Sequence, residues 1–166
     1  IRGHWWFHGG NNWNSVCNSC VVRTALAVIE DRRLRAEFVA FAEETVPYAL
    51  KGYNDDGYCS EGMGYWNYGY GNHLEMGLSV RAATGGKVDF FADPKCKDVM
   101  KYAYGFQVQA GRSPHFADGG GNAVPAYLAL GRQIWPDLVN TEALKAAPFR
   151  GDPATFSLRA FGQEPA

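Results

Sequence analysis

The sequence predicts an all-α chain built of helical hairpins. Three observations carry this. Apolar residues recur at helical spacing through most of the chain. Strand-like alternation is nearly absent, with "KVDFF" at 87–91 as the only candidate. Two glycine-rich loops interrupt the helices, and loops of that length in a compact domain usually carry function or are disordered. Their Asp, Glu, His and aromatic content favours function.

Val16, Cys20, Val21, Ala25, Val28 and Ile29 give a first helix over 14–30, with Asn11, Asn12 or Asn14 available as N-cap. Leu34, Phe38, Phe41, Val46 and Leu50 give a second over 32–51, with a kink or restart expected at Pro47. "GYNDDGYCSEGMG" at 52–64 is a loop by its Gly, Asn and Asp. A third helix is predicted over about 66–83 through Leu74, Leu78 and Ala82, ending at "TGG". "DPK" opens a fourth over about 95–105, with Asp93 as cap and Pro94 in the first turn. "AGRSPHFADGGGN" is the second long loop. A fifth helix follows over about 122–134, closed by Pro136, and a short sixth piece is predicted near 140–147.

The 166 residues suffice for a single domain with a real core, and 46% hydrophobic with 20% charged residues marks a globular chain. A net charge of -1 argues against a nucleic-acid footprint, which needs a basic patch. No apolar run approaches the roughly 20 residues of a membrane span, so no membrane partner is expected. The chain does not begin with Met and is read as a mature or excised segment. Cys17 and Cys20 form a single C-x-x-C on one face of the first helix, with Cys59 and Cys96 apart from it. Packing as small buried hydrophobes is the preferred reading over a zinc knuckle or redox pair, and no metal ligands are assigned.

Aromatics are in excess, at 14% of the chain, and clustered in "HWWFH" at 4–8 and "YWNYGYG" at 65–71. Rings threaded with Gly, Asn and His suit a sugar-binding surface. A ring face covers the apolar C–H face of a pyranose while amides and imidazoles bond its hydroxyls. Burial in the core is the competing reading for each ring, and for Trp13 and Trp66 the two are evenly balanced.

"NNWNSVCNSCVVRTALAV", "DDGYCSEGMGYWNYGYGNHLEM" and, more weakly, "HFADGG" at 115–120 resemble the heparinase II/III-like polysaccharide lyases, a superfamily that includes alginate and heparin lyases. The resemblance implies that 1–166 is a single helical domain, the C-terminal part of an incomplete α/α toroid. A β-sandwich domain, absent here, would follow near "DPATFSLRAF". It also implies cleavage of a uronic-acid polysaccharide by β-elimination, in the bacterial periplasm or outside the cell, with little activity from this segment alone. No cofactor is implied beyond a structural metal on the absent domain, and the partners are the acidic polysaccharide and that domain.

Such chemistry needs a donor that neutralises the substrate carboxylate, a proton acceptor, and a proton donor for the leaving oxygen. Amides donate without titrating, so Asn12 is assigned the first role, with Asn11 beside it at the positive end of a helix. The family commonly has Asn-His here, whereas Asn12 or Trp13 stands in the second position. The base is therefore left open among His4, His8, His115 and a group on the absent domain. A phenol suits the acid role, with Tyr68 first and Tyr65 second. Trp13, Trp66, Tyr70, Glu61, His8 and His115 complete the expected substrate-binding set, Glu61 and Asp56 orienting the loop or a tyrosine. Two other classes stay open: a glycoside hydrolase using two carboxylates among Asp56, Glu61 and Asp118, and a non-catalytic sugar-binding helical module.

Overall fold

The computed structural model describes residues 3–108 and 111–138, and the expected sixth helix and "DPATFSLRAF" lie outside them. Within them the chain is helical with no strands: α1 (Asn12–Val28), α2 (Arg32–Leu50), α3 (Met63–Ala83), α4 (Pro94–Gly105) and α5 (Pro125–Ile134). Short 3₁₀ turns cover Trp5–His8 and Phe90–Ala92. The latter falls on "KVDFF", the only strand candidate: Asp89 caps it by accepting from Phe91 N at 3.0 Å, and Phe90 and Phe91 turn inward. A lone extended segment with no partner strand leaves its backbone unpaired, whereas a capped turn satisfies it. No helix among the described residues is long and apolar enough to cross a membrane.

Local side-chain caps mark the starts of two helices, α2 and α4. Asp93 caps α4 through Lys95 N at 2.9 Å with Pro94 at the first position, as the sequence predicts. Asp31 caps α2 through Leu34 N at 2.9 Å. Pro47 does not restart α2, which runs unbroken to Leu50. The proline is exposed one turn from the end, so one lost backbone bond is offset by burial of Val46, Ala49 and Leu50 around it. Neither Cys17 nor Cys20 is buried as expected: Cys17 is half-buried and Cys20 exposed on the outer side of α1, both as free thiols.

α3 is the hub. Asn12 meets Gly69 and Arg23 pairs with Glu75, so α1 runs parallel to it. Trp66 bonds Val99 and Tyr70 bonds Cys96, so α4 runs antiparallel. α2 returns along α1, with Val22, Val39, Ala42, Val46, Met76 and Val80 forming a core between α1, α2 and α3. A larger core on the other side of α3 joins Trp66, Tyr70, Leu74, Val99, Met100 and Leu128. A helix buried on nearly all sides cannot show a clean polar face.

Glycine lets neighbours approach α3. Gly71 and Gly77 face the rings of Tyr127 and Phe91, where a Cβ would sit within 2.5 Å of them. The second long loop is pinned to the start of α3 by backbone bonds from Gly64 N to Gly119 O at 2.6 Å and from Gly119 N to Glu61 O at 2.8 Å. A Cβ at Gly119 would stand 2.5 Å from Glu61 O and 2.7 Å from Tyr65 N, both backbone atoms that cannot swing aside. Gly119→Ala is expected to detach this loop and lower stability by about 1–3 kcal/mol, read as a fall in urea midpoint. An unchanged midpoint would show the loop to be dispensable.

The core also holds a titratable pair. His73 Nε2 lies 3.2 Å from Cys96 Sγ, which faces Phe90 O at 3.2 Å, and His73 Nδ1 has no partner. Burial pushes His73 down to about 4, against Asp93, which raises it, and pushes the Cys96 thiol up. The neutral imidazole is the folded form, so the unfolded chain binds the extra proton first. Stability from this group is complete above pH 6.5 and is lost as pH falls from 6.5 through 4, a change on the order of 3 kcal/mol. Urea titrations of wild type and His73→Gln should diverge across that window. Parallel pH profiles would count against it.

Candidate functional site

An open cleft of about 140 Å³ lies where the start of α1, the end of α2 and the loop into α3 meet. Gly10, Asn11 and Asn12 form one side, Ala49, Gly52 and Tyr53 the second, and Cys59, Ser60, Glu61 and Tyr65 the third. The close approach of two glycines shapes it: a Cβ on Gly52 would lie 1.9 Å from Gly10 O. Any larger residue there would separate the end of α2 from the start of α1.

The asparagines divide their work. Asn11 occupies the N-cap position of α1 in extended geometry, but its side chain makes no capping bond and lines the cleft. Asn12 Nδ2 donates to Glu61 Oε2 at 3.3 Å, across 49 residues of sequence. Its second N–H remains available, since an amide carries two. Asn14, one of the expected caps, is instead a buried cross-link: its Nδ2 donates to Phe7 O at 2.8 Å and Thr45 O at 3.0 Å. Asn18 Nδ2 donates to Asn14 Oδ1 at 2.9 Å, and Thr45 Oγ1 donates to Asn18 Oδ1 at 3.2 Å. This closed network ties α1 to α2 and to the N-terminal turn, so the cleft's amides stand on a rigid base.

Tyr65 lines the cleft, one turn before Gly69 on α3. Tyr68 is 45% exposed and is not among the lining residues. It is not remote, however: the next residue, Gly69, lies against Asn12, with a would-be Cβ 3.1 Å from Asn12 Cβ. Asn12 and Tyr68 therefore sit at one level of the α1–α3 contact, Tyr68 outside the cleft and Tyr65 within it.

Trp66 and Tyr70, expected on the sugar surface, lie elsewhere. Both are 0% exposed: Trp66 Nε1 donates to Val99 O at 2.9 Å and Tyr70 Oη donates to Cys96 O. Their polar tips bond α4, as buried Trp and Tyr require, and their rings fill the larger core. Trp13 is half exposed, its ring 6.0 Å from that of Trp5, which is 66% exposed. His8 is exposed against the Tyr48 ring, and His115 is exposed beside Gly120 in the second loop. His4 is exposed and packs on Trp6 and Phe7. None of the three lines the cleft. Asp56 accepts from Tyr58 N at 3.0 Å in its own turn, and Asp118 is exposed beside Gly119. Glu61 is thus the one carboxylate among the lining residues.

Tyr53 is a cleft residue that the sequence does not single out. It follows α2 directly, its N–H donating to Leu50 O at 3.2 Å, and its ring stands edge-on to Tyr70 at 6.1 Å. Burial, with the nearby Cys59, Glu61 and Cys96, raises its hydroxyl well above the ordinary phenol value, so it stays protonated. "KGYNDD" carries no signal for this, because the residue gains its role only when α2 ends against α3.

Comparison of the chain with protein-family models, with curated proteins and with solved structures finds no match.

Proposed function

We propose that the chain is the helical, catalytic part of a polysaccharide lyase that cleaves uronic-acid polymers by β-elimination, its hairpins forming a section of an incomplete α/α toroid. The observation that carries this is the contact of Asn12 with Glu61 inside an open, polar cleft that Tyr65 also lines. The acidic carbon of a uronate is one bond from its carboxyl group. A base that removes its proton must therefore sit within a few Å of whatever binds that carboxyl. With the substrate carboxylate on Asn12 and Asn11, Glu61 is the proton acceptor at that distance.

The electrons of the broken C–H bond form the new double bond, and the glycosidic C–O bond breaks. Tyr65 gives its proton to the leaving oxygen. Trp13 and Trp5 offer exposed ring faces to neighbouring sugars. A glycosidase needs a pair of carboxylates about the bond, and the cleft offers only Glu61 among its lining residues. The lyase is expected to act in the periplasm or outside the cell, where its polymer is.

The test incubates the chain, and a longer form carrying the expected β-sandwich domain, with a panel of acidic polysaccharides while following ultraviolet absorbance. A lyase product carries a conjugated double bond and absorbs. New reducing ends without a chromophore would mean a hydrolase, and binding without either product would mean a sugar-binding module.

A further inference from the structure

Asn12 does not face the cleft alone. Gly69, in the second turn of α3, is the floor on which two groups meet: an ideal Cβ there would lie 3.1 Å from Asn12 Cβ and 3.2 Å from Tyr53 Oη. The absence of a side chain at Gly69 is what lets Asn12 of α1 and the phenol of Tyr53, just after α2, both pack against it. The Tyr53 ring is fixed by its contact with Tyr70, which is itself held to α4. Among the described residues the Tyr53 hydroxyl donates to no protein group, although the residue lines the cleft. A donor held in a fixed place without a partner is suited to an external acceptor.

We infer that Tyr53 is a carboxylate-binding residue, its hydroxyl and the free N–H of Asn12 together gripping the carboxyl group of an acidic sugar. This deepens the uronate reading proposed above and rests on it for the class of ligand. Two properties fit the role. The hydroxyl remains a donor because burial keeps it protonated. It is also neutral, so with Asn11 and Asn12 it offers hydrogen bonds to an anion without adding a cation. Glu61 makes several donors necessary, because its own charge opposes a second carboxylate in the same cleft. Tyr53 is thus assigned to binding and charge neutralisation, and the proton transfers remain with Glu61 and Tyr65.

The experiment is calorimetric binding of a short oligouronate and of its carboxyl-reduced, neutral counterpart, so no turnover is required. Wild type is expected to prefer the uronate. Tyr53→Phe is expected to lose roughly tenfold to hundredfold in uronate affinity, the range for a hydrogen bond to a charged group, with affinity for the neutral sugar unchanged. A structural role would move both ligands together. Gly69→Ala places a methyl against both Asn12 Cβ and Tyr53 Oη while keeping the phenol, and is expected to produce the same selective loss. The inference fails if wild type does not distinguish the two sugars, or if neither folded variant changes the preference. Retained preference with no chromophore in the polymer assay would remove the lyase chemistry and leave the carboxylate site standing.

Discussion

Glu61→Gln is expected to reduce lyase turnover by about 100-fold or more, the range for losing a general base, while uronate affinity holds or tightens. The two effects have opposite signs for one reason. The substituted amide would keep a carbonyl oxygen where Glu61 Oε2 now accepts from Asn12, so the contact at 3.3 Å and the loop into α3 survive. It would have no basicity to remove a carbon-bound proton, and it would no longer repel the substrate carboxylate. Initial rates of absorbance change, taken in whichever form turns over, measure the first effect, and calorimetry the second. A variant retaining half the rate would remove Glu61 from the chemistry. One that loses rate and affinity equally would make it a binding residue.

The second large effect concerns stability. Trp66→Ala is expected to cost about 3–5 kcal/mol, a large share of the roughly 5–15 kcal/mol that holds an ordinary domain together. Its indole is fully buried, touches Tyr70 with ring centroids 5.5 Å apart, and bonds Val99 O across to α4. Alanine leaves a cavity at the junction of α3 and α4 that surrounding helices cannot close. A fall in melting temperature of about 10–15 °C would follow for a chain of this size. Trp13→Ala, by contrast, removes a half-exposed ring and is expected to change stability by under about 1 kcal/mol, with its cost appearing in sugar binding instead. Equal melting temperatures for the two variants would contradict this division.

The contrast between these tryptophans marks how far the sequence can be read. Both stand beside Asn, Trp66 inside the second aromatic cluster and Trp13 in "NNWN", and the sequence balances core against sugar surface for each. Their environments are set by helices distant in the chain or by a separate turn: Val99 for Trp66 and Trp5 for Trp13. The "YWNYGYG" stretch is split the same way, with Tyr65 in the cleft, Tyr68 exposed outside it, and Trp66 and Tyr70 in the core. Successive helical residues turn by about 100°, so a cluster in sequence becomes four different directions in space. One further signal lies in the glycines. Gly69, Gly71 and Gly77 stand inside one helix, where glycine costs about 1 kcal/mol relative to alanine, and close approach of neighbours is the usual reason for that pattern.

The asparagines are legible as a group but not singly. An Asn-rich helix opening beside a pocket is what the structure contains at Asn11 and Asn12. Asn14 and Asn18 have identical side chains but lie buried against Phe7 and Thr45, in a network no local rule would reveal.

By itself the sequence determined the helical class, the position of each described helix to within a few residues, the cap at Asp93 and the two glycine-rich loops, because periodicity, caps and glycine act over one or two turns of chain. Tertiary structure alone decided that Pro47 would not break α2, that "KVDFF" would become a capped turn, and that Tyr53 would stand beside Asn12 and Glu61. Each of those outcomes depends on surfaces brought together from separate helices, and the energy that selects them arises only when the core closes.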